Sequence, residues 1–219
     1  MNSKPYIVIG SGGHAKVVVD LLLEMEATIV GLTDVDSQRH GENVLGIDII
    51  GGDDILEKFA PDTVNLALGL GASGDDLCQA LKGRKSVALA LQEKGYIFPP
   101  LVHLDAIVGR GCEIDHGAQI MAGAVVQAGS HVGAFAIVNT RASVDHDCHI
   151  GSGAHVSPGV ALGGGVSVGE DAYVGIGAAV IHGLNIGNGA RIAAGAVVIK
   201  NVEHDVRVAG VPAKEMKLC

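Results

Sequence analysis

From Val102 onward every sixth residue is aliphatic. The series runs Val102, Val108, Ile114, Ile120, Val126 and on to Val198, seventeen positions that are all Val, Ile or Leu. Four residues after each stands a second series, from Ala106, Cys112, Ala118 and Ala124 to Val202, and every member is small or aliphatic. Glycine often precedes this second position, where a tight turn needs it. A period of six matches neither the 3.6-residue helical turn nor the alternation of an ordinary strand. It matches a solenoid of two-residue strands and corners, the hexapeptide β-helix. The branched residue points inward from each strand, and the small one fills the corner.

The first hundred residues follow another pattern. Residues 6–10 (Tyr-Ile-Val-Ile-Gly) read as a buried strand, followed by a Gly-rich turn, Gly10-Ser11-Gly12-Gly13-His14-Ala15, and a helix over 16–25. Strands at 28–34, 44–50 and 64–70 alternate with helices near 54–59, 75–81 and 86–94. Such alternation implies a small parallel α/β sheet of Rossmann-like type. Phe98-Pro99-Pro100 breaks both patterns and reads as the joint. The expected domains are 1–98, an α/β domain; 99–205, the β-helix; and 206–219, a C-terminal cap on an otherwise open solenoid end.

Composition narrows the function. With 33 glycines and only 3% aromatic residues, the core must consist of thin layers of small aliphatics. A net charge of −9 argues against a nucleic-acid binder, which needs a basic face. No apolar run reaches the ~20 residues of a membrane span, and the N-terminus does not read as a signal peptide. Cys78, Cys112, Cys148 and Cys219 form no CxxC pattern, so reduced thiols in a cytoplasmic protein are expected.

Two constellations carry chemistry. Gly10-x-Gly12-x-x-Ala15, with Asp34 further on, has the form of a dinucleotide fingerprint, in which glycines and a helix N-terminus admit phosphate. The alternative is a tight turn without a ligand. The unit is short for a full dinucleotide fold, which favours a nucleotide-linked substrate over NAD. The second is Asp145-His146-Asp147-Cys148-His149, followed by His155. A histidine flanked by carboxylates has its tautomer fixed and its basicity raised, which suits a general base. A metal site from His146, His149 and His155 is the rival. It is disfavoured because Cys148 is an inward position and zinc spacings are absent. His116 and His131 read as solvated residues of a solenoid face.

The repeat resembles the left-handed parallel β-helix of hexapeptide acyltransferases, as does the tail Gly210-Val211-Pro212-Ala213-Lys214. In that family three hexads make one triangular coil, so residues 18 apart stack. Sixteen hexads then give about five coils, at ~4.8 Å per coil a prism of roughly 25 Å. His146 stacks with Gly164 and His182, and His155 with Tyr173 and Arg191. Gly163-Gly164-Gly165 leaves room beside His146 for a thin ligand arm.

The stretch Asn139-Thr140-x-Ala142-x-Val144-Asp145-His146-Asp147-Cys148-x-Ile150-Gly151, with His155-Val156-Ser157-x-Gly159, is similar to bacterial nucleotide-sugar acetyltransferases. These include the sialic acid O-acetyltransferase-like proteins. The resemblance implies an acetyl-CoA-dependent N-acetyltransferase acting on a UDP- or GDP-linked 4-amino-deoxy sugar, without a metal. It makes His146 the base and Asp147 the residue that raises its basicity. Acetyl-CoA contacts fall on His155, Gly164, Ile176 and Ala194. Nucleotide-sugar contacts fall on Gly12, Gly13, His14, Asp34 and Asp36, with Asn139 lining the sugar or the oxyanion. It also implies a homotrimer with acetyl-CoA between adjacent prisms. O-acetylation of a sialic acid or other sugar hydroxyl is one alternative, distinguished by an alkali-labile product. A non-enzymatic nucleotide-binding regulator is the other, distinguished by having no acetyl-CoA affinity.

Overall fold

A computed structural model describes residues 4–71 and 77–216. The chain divides into two compact units, residues 1–99 and 100–219.

In the first unit β1 (Tyr6–Ile9) lies between β2 (Ile29–Thr33) and β5 (Asn65–Leu68), parallel to both. All four β1 side chains are buried, as an uninterrupted apolar run in a central parallel strand requires. The sheet order is β3-β4-β2-β1-β5. The expected strand over 44–50 is instead a hairpin. β3 (Asn43–Val44) runs antiparallel to β4 (Ile47–Gly51), and Leu45 and Gly46 both take positive φ in the turn. That two-residue turn matches strand twist, so the sheet gains an antiparallel edge.

Helix α1 (Gly13–Glu24) begins three residues before the expected start. Lys16 N–H donates to Gly12 O at 3.1 Å, so the Gly-rich turn is itself the first turn of helix. The expected helix at 54–59 is a 3₁₀ segment, Asp53–Lys58. The expected helices at 75–81 and 86–94 are one, α2 (Leu77–Glu93); residues 75 and 76 lie outside the described part. Gly83 is tolerated mid-helix on the exposed side, and Leu81, Arg84, Ala88 and Leu91 make a buried stripe at helical spacing. Arg84 disguises that stripe in the sequence; its Nε donates to Leu70 O at 2.8 Å.

The second unit is a three-sided parallel β-helix. Seventeen two-residue strands run from β6 (Leu101–Val102) to β22 (Val197–Val198), one in each hexad. Pairing joins residues 18 apart, for example Val126 with Val144 and Val156 with Val174. Three sheets result, and the inward residues of all three form one core. Its first coil is less covered: Val108 is 38% exposed, whereas Val126, Val144 and Val156 are fully buried. At the other end the coil shortens. β23 (Arg207–Ala209) pairs with β21 (Arg191–Ile192) at an interval of sixteen. β24 (Lys214–Glu215) then turns back antiparallel to β23, and Val206 and Ala213 pack against the core.

Several corners put a side chain at positive φ, where L-residues are disfavoured. Phe135, Arg141, Asp147 and Asp171 take this conformation, and the residue 18 before each is glycine: Gly117, Gly123, Gly129 and Gly153. A Cβ on Gly123 would lie 3.3 Å from Arg141 Cγ, and one on Gly129 would lie 2.6 Å from Asp147 Oδ1. Such a side chain therefore leans onto the preceding coil, which must be bare beneath it.

Ile150→Ala should cost about 2–5 kcal/mol through lost burial and a cavity in the prism. Ser143→Ala, on the outward side of β13 (Ser143–Val144), should stay within about 0.5 kcal/mol. Urea unfolding of both variants checks this.

Candidate active site

His146 and Asp147 occupy the corner between β13 and β14 (His149–Ile150). Asp145 accepts a hydrogen bond from His146 N–H at 2.8 Å, which starts the turn. Asp147 then takes φ 55°, and its N–H donates to Ala128 O at 3.1 Å on the coil before. His146 O accepts from Gly165 N–H at 2.8 Å on the coil after. Pinned from both sides, the corner sets His146 Nδ1 2.8 Å from Asp147 Oδ2. With Nδ1–H donating to that carboxylate, the lone pair is on Nε2, the ring atom nearest Gly164.

The hydrogen bond donated to Asp147, with the charge of Asp145 adding to it, raises the His146 pKa above its ordinary value. The ring is 63% exposed and the carboxylate 73%, so the gain is in proton affinity and orientation rather than in stability.

The room expected beside His146 from the glycine run at 163–165 is not over Gly164, while a Cβ on Gly165 would meet nothing within 4 Å. The space over Gly164 is filled by the His146 ring itself: a Cβ there would meet Nε2 first, then Cε1 at 2.7 Å and Cδ2 at 3.0 Å. Gly164 is the floor on which the imidazole rests. Cys148 is buried beside it, its thiol donating to Gly163 O at 3.3 Å and pushed up by burial, which suits an unreactive core residue.

His155 and Asn139 form a second group. The Asn139 Oδ1 accepts from Thr140 N–H at 2.8 Å, which turns its Nδ2 toward His155 Nε2 at 3.3 Å. His155 is buried, and its ring lies 5.4 Å from that of Tyr173. Asn139 therefore orients His155 within this chain rather than standing beside His146. Ile176 and Ala194 follow on the same prism edge, on successive coils, and both are exposed. That edge joins the sheet of β12 (Ile137–Val138) and β15 (His155–Val156) to the sheet of β13. His146 is on the next edge. One chain thus divides the expected residues between two edges of the prism.

Of the two histidines read as solvated, His116 is exposed, and His131 is half-buried with partners. His131 and His149 stack at 4.8 Å, and His131 Nε2 lies 3.1 Å from Asp115 Oδ2, so neither is a bare solvated residue. His116 meets the Phe135 ring edge-on at 5.1 Å. His149 faces His131, not His146, and the described residues contain no group of three or more side chains able to hold a metal.

In the first unit the Gly-rich turn leaves the carboxyl end of β1, where the chain passes to β2 on one side and β5 on the other. Ligands of open α/β sheets bind at this kind of switch point. A cavity of about 380 Å³ lies there, lined by Gly12, Gly13, Lys16, Arg39 and the turn of the β3–β4 hairpin. His14 packs against Gly71, where a Cβ would come within 2.9 Å of its own Cβ.

Asp34 is engaged inside the chain. Ser11 Oγ donates to it, Arg39 Nη1 lies 2.9 Å from its Oδ2, and Asp36 N–H lies 2.9 Å from its Oδ1. Burial pushes this carboxyl up, but those hydrogen bonds and the Arg39 charge outweigh it and hold it below the usual range. Asp36 caps the short 3₁₀ turn Ser37–Arg39 by accepting from Gln38 N–H at 3.0 Å. Lys16 and Arg39 were not legible as site residues. Arg39 meets Ser11 28 positions away, across an interval with no periodic signal.

A three-sided hexapeptide prism that follows, along the chain, an α/β unit with a Gly-rich turn matches the architecture of nucleotide-sugar acyltransferases. The chain belongs to the nucleotide-sugar N-acetyltransferases of the left-handed β-helix class. Residues 6–74 match the PglD N-terminal domain family. A perosamine N-acetyltransferase from Caulobacter crescentus is 34% identical with a TM-score of 0.89, over 97% of each chain. That protein is known as a histidine-to-asparagine mutant in complex with CoA and GDP-perosamine. The acetyltransferase domain of PglB from Neisseria gonorrhoeae FA1090 is also 34% identical, with a TM-score of 0.88 over 98% of this chain and 100% of that one. It has been solved with acetyl coenzyme A. WeeI from Acinetobacter baumannii AYE, at 24% identity and a TM-score of 0.85, shares the fold. No curated protein sequence matches the chain.

A proton NMR titration should find the His146 imidazole pKa above its ordinary 6.5. Asp147→Asn should lower it, since the hydrogen bond to a full negative charge is lost. An unchanged midpoint would mean that the carboxylate does not act on the ring.

Proposed function

We propose that this protein transfers an acetyl group from acetyl-CoA to the amino group of a UDP- or GDP-linked 4-amino-deoxy sugar. The observation that carries the reading is the 2.8 Å bond between His146 Nδ1 and Asp147 Oδ2, which leaves the lone pair that takes a proton on Nε2. The GDP-perosamine complex of the Caulobacter relative supports the substrate class, and the acetyl-CoA complex of the PglB domain supports the donor.

In the reaction the sugar nitrogen attacks the thioester carbonyl, and His146 Nε2 takes a proton from that nitrogen as the C–N bond forms. Asp147 stabilises the imidazolium. The C–S bond then breaks, and the proton returns from His146 to the leaving CoA sulfur. No acyl-enzyme and no metal take part.

The α/β unit holds the nucleotide. The N–H groups of Gly12 and Gly13, at the start of α1, receive the diphosphate oxygens, with Lys16 and Arg39 supplying positive charge. Asp34 acts by holding Arg39 and Ser11 in place. His155, oriented by Asn139, contacts acetyl-CoA together with Gly164, Ile176 and Ala194.

The working form is a homotrimer. His146 stands on one prism edge and His155, Ile176 and Ala194 on another, so a complete site needs one edge from each of two chains. Cys112 and Cys148 are unpaired, in keeping with a cytoplasmic enzyme. No described helix is long and apolar enough to cross a membrane.

Release of CoA thiol from acetyl-CoA, with UDP- and GDP-linked 4-amino-6-deoxy sugars as acceptors, tests the reading. Wild type should release thiol with one nucleotide class, and His146→Ala should lose ~10²–10⁴-fold in kcat. An unaffected mutant would remove His146 from the chemistry. Light scattering should give three times 22.2 kDa, and a single-chain mass would overturn the trimer.

A further inference from the structure

The catalytic pair is held by a residue that touches neither substrate. Asp147 is in the left-handed region, and its carboxylate leans onto the coil before, directly over Gly129. We infer that Gly129 is a positioning residue for acetyl transfer: its missing side chain is the seat that lets the Asp147 carboxylate reach His146 Nδ1.

The geometry makes the claim specific. A Cβ on Gly129 would stand 2.6 Å from Asp147 Oδ1, closer than real side chains approach, while the next Asp147 atoms are 3.7 Å and 3.9 Å away. Something must move, and the cheapest movement is rotation of the carboxylate, the far end of a short side chain. That rotation carries Oδ2 off Nδ1 and breaks the 2.8 Å bond. The inward core is untouched, since Gly129 is at an outward corner and is exposed. The loss therefore falls on the dyad rather than on the fold. Asp145, the other charge beside His146, bonds the His146 N–H and does not replace Asp147 at Nδ1.

Gly111 supplies the control. It is 18 residues earlier in the same corner column, it also has positive φ (73°), and a Cβ there meets nothing within 4 Å. Asparagine is the side chain best tolerated in this conformation, so Gly129→Asn adds a Cβ with little backbone strain and Gly111→Asn repeats that strain without the collision.

The inference rests on His146 as the base, and the test separates the two. Full-length wild type, Gly129→Asn, Gly111→Asn, Asp147→Asn and the Gly129→Asn/Asp147→Asn double variant are titrated at His146 by NMR. Their kcat–pH profiles are then measured with acetyl-CoA and the amino-sugar acceptor. In Gly129→Asn the His146 midpoint should fall toward that of Asp147→Asn, which also loses the carboxylate charge, moving the acid limb of kcat to lower pH. The plateau kcat should fall by up to ~10²-fold. The double variant should match Asp147→Asn alone, because both changes remove one hydrogen bond. Gly111→Asn should keep the wild-type titration and kcat. A wild-type titration in Gly129→Asn, or additive losses in the double variant, would overturn the seat. Wild-type kcat in His146→Ala would instead overturn the base assignment, and with it the catalytic meaning of the seat. Should Gly129→Asn not fold, Gly129→Ala carries the same collision and the same expected outcomes.

Discussion

A coil of eighteen residues encloses only a narrow column, and that column must be filled by one layer of branched and small side chains per turn. The rest of the prism follows from this limit. Each strand is two residues long because a longer one would overshoot the corner, and only the second of the two can point inward. Parallel pairing then locks each residue to those 18 before and after it, as in Val144 between Val126 and Leu162. The core is continuous, with buried members from Ala118 to Val208. Such a core feels truncation at any inner level, because each inner level is packed from above and below.

The same register governs the chemistry. An outward group sees its own corner and the coils on either side, so His146 answers to Gly164 and Asp147 to Gly129. Neither glycine is near its partner in the chain. What a solenoid lacks in concavity it recovers in repetition: an edge offers the same backbone geometry at every level, and a bare residue on one level makes room for a functional side chain on another. The price is an exposed dyad. His146 and Asp147 are both more than half open to solvent in a single chain.

On the function proposed above, the α/β unit solves a different problem, the holding of an anion by an acidic protein. Net charge −9 repels phosphate at long range, but local donors dominate at contact. The turn after β1 supplies helix N–H groups, and Lys16 and Arg39 line the same cavity. Arg39 is held in place by Asp34, Ser11 and Glu42, so little conformational freedom is left for a ligand to remove.

Much of the fold was legible in sequence because it is periodic. The sixth-residue series set strand positions, corner positions and inward faces over a hundred residues, and the 18-residue stacking followed from the family's triangular coil. The Asp-His-Asp step was legible because its members are adjacent. Legibility failed where partners are distant and unperiodic. The β3–β4 hairpin depends on a two-residue turn, the continuity of α2 on a buried Arg84 that reads as polar, and the Arg39 network on a contact 28 residues away. Only the tertiary structure decided that Asn139 belongs to His155, that Gly164 seats an imidazole, and that the acid beside His146 leans on Gly129. A sequence specifies which side chains are present and their local spacing. Which of them meet is decided by the register of packed coils, a cooperative property of the whole core.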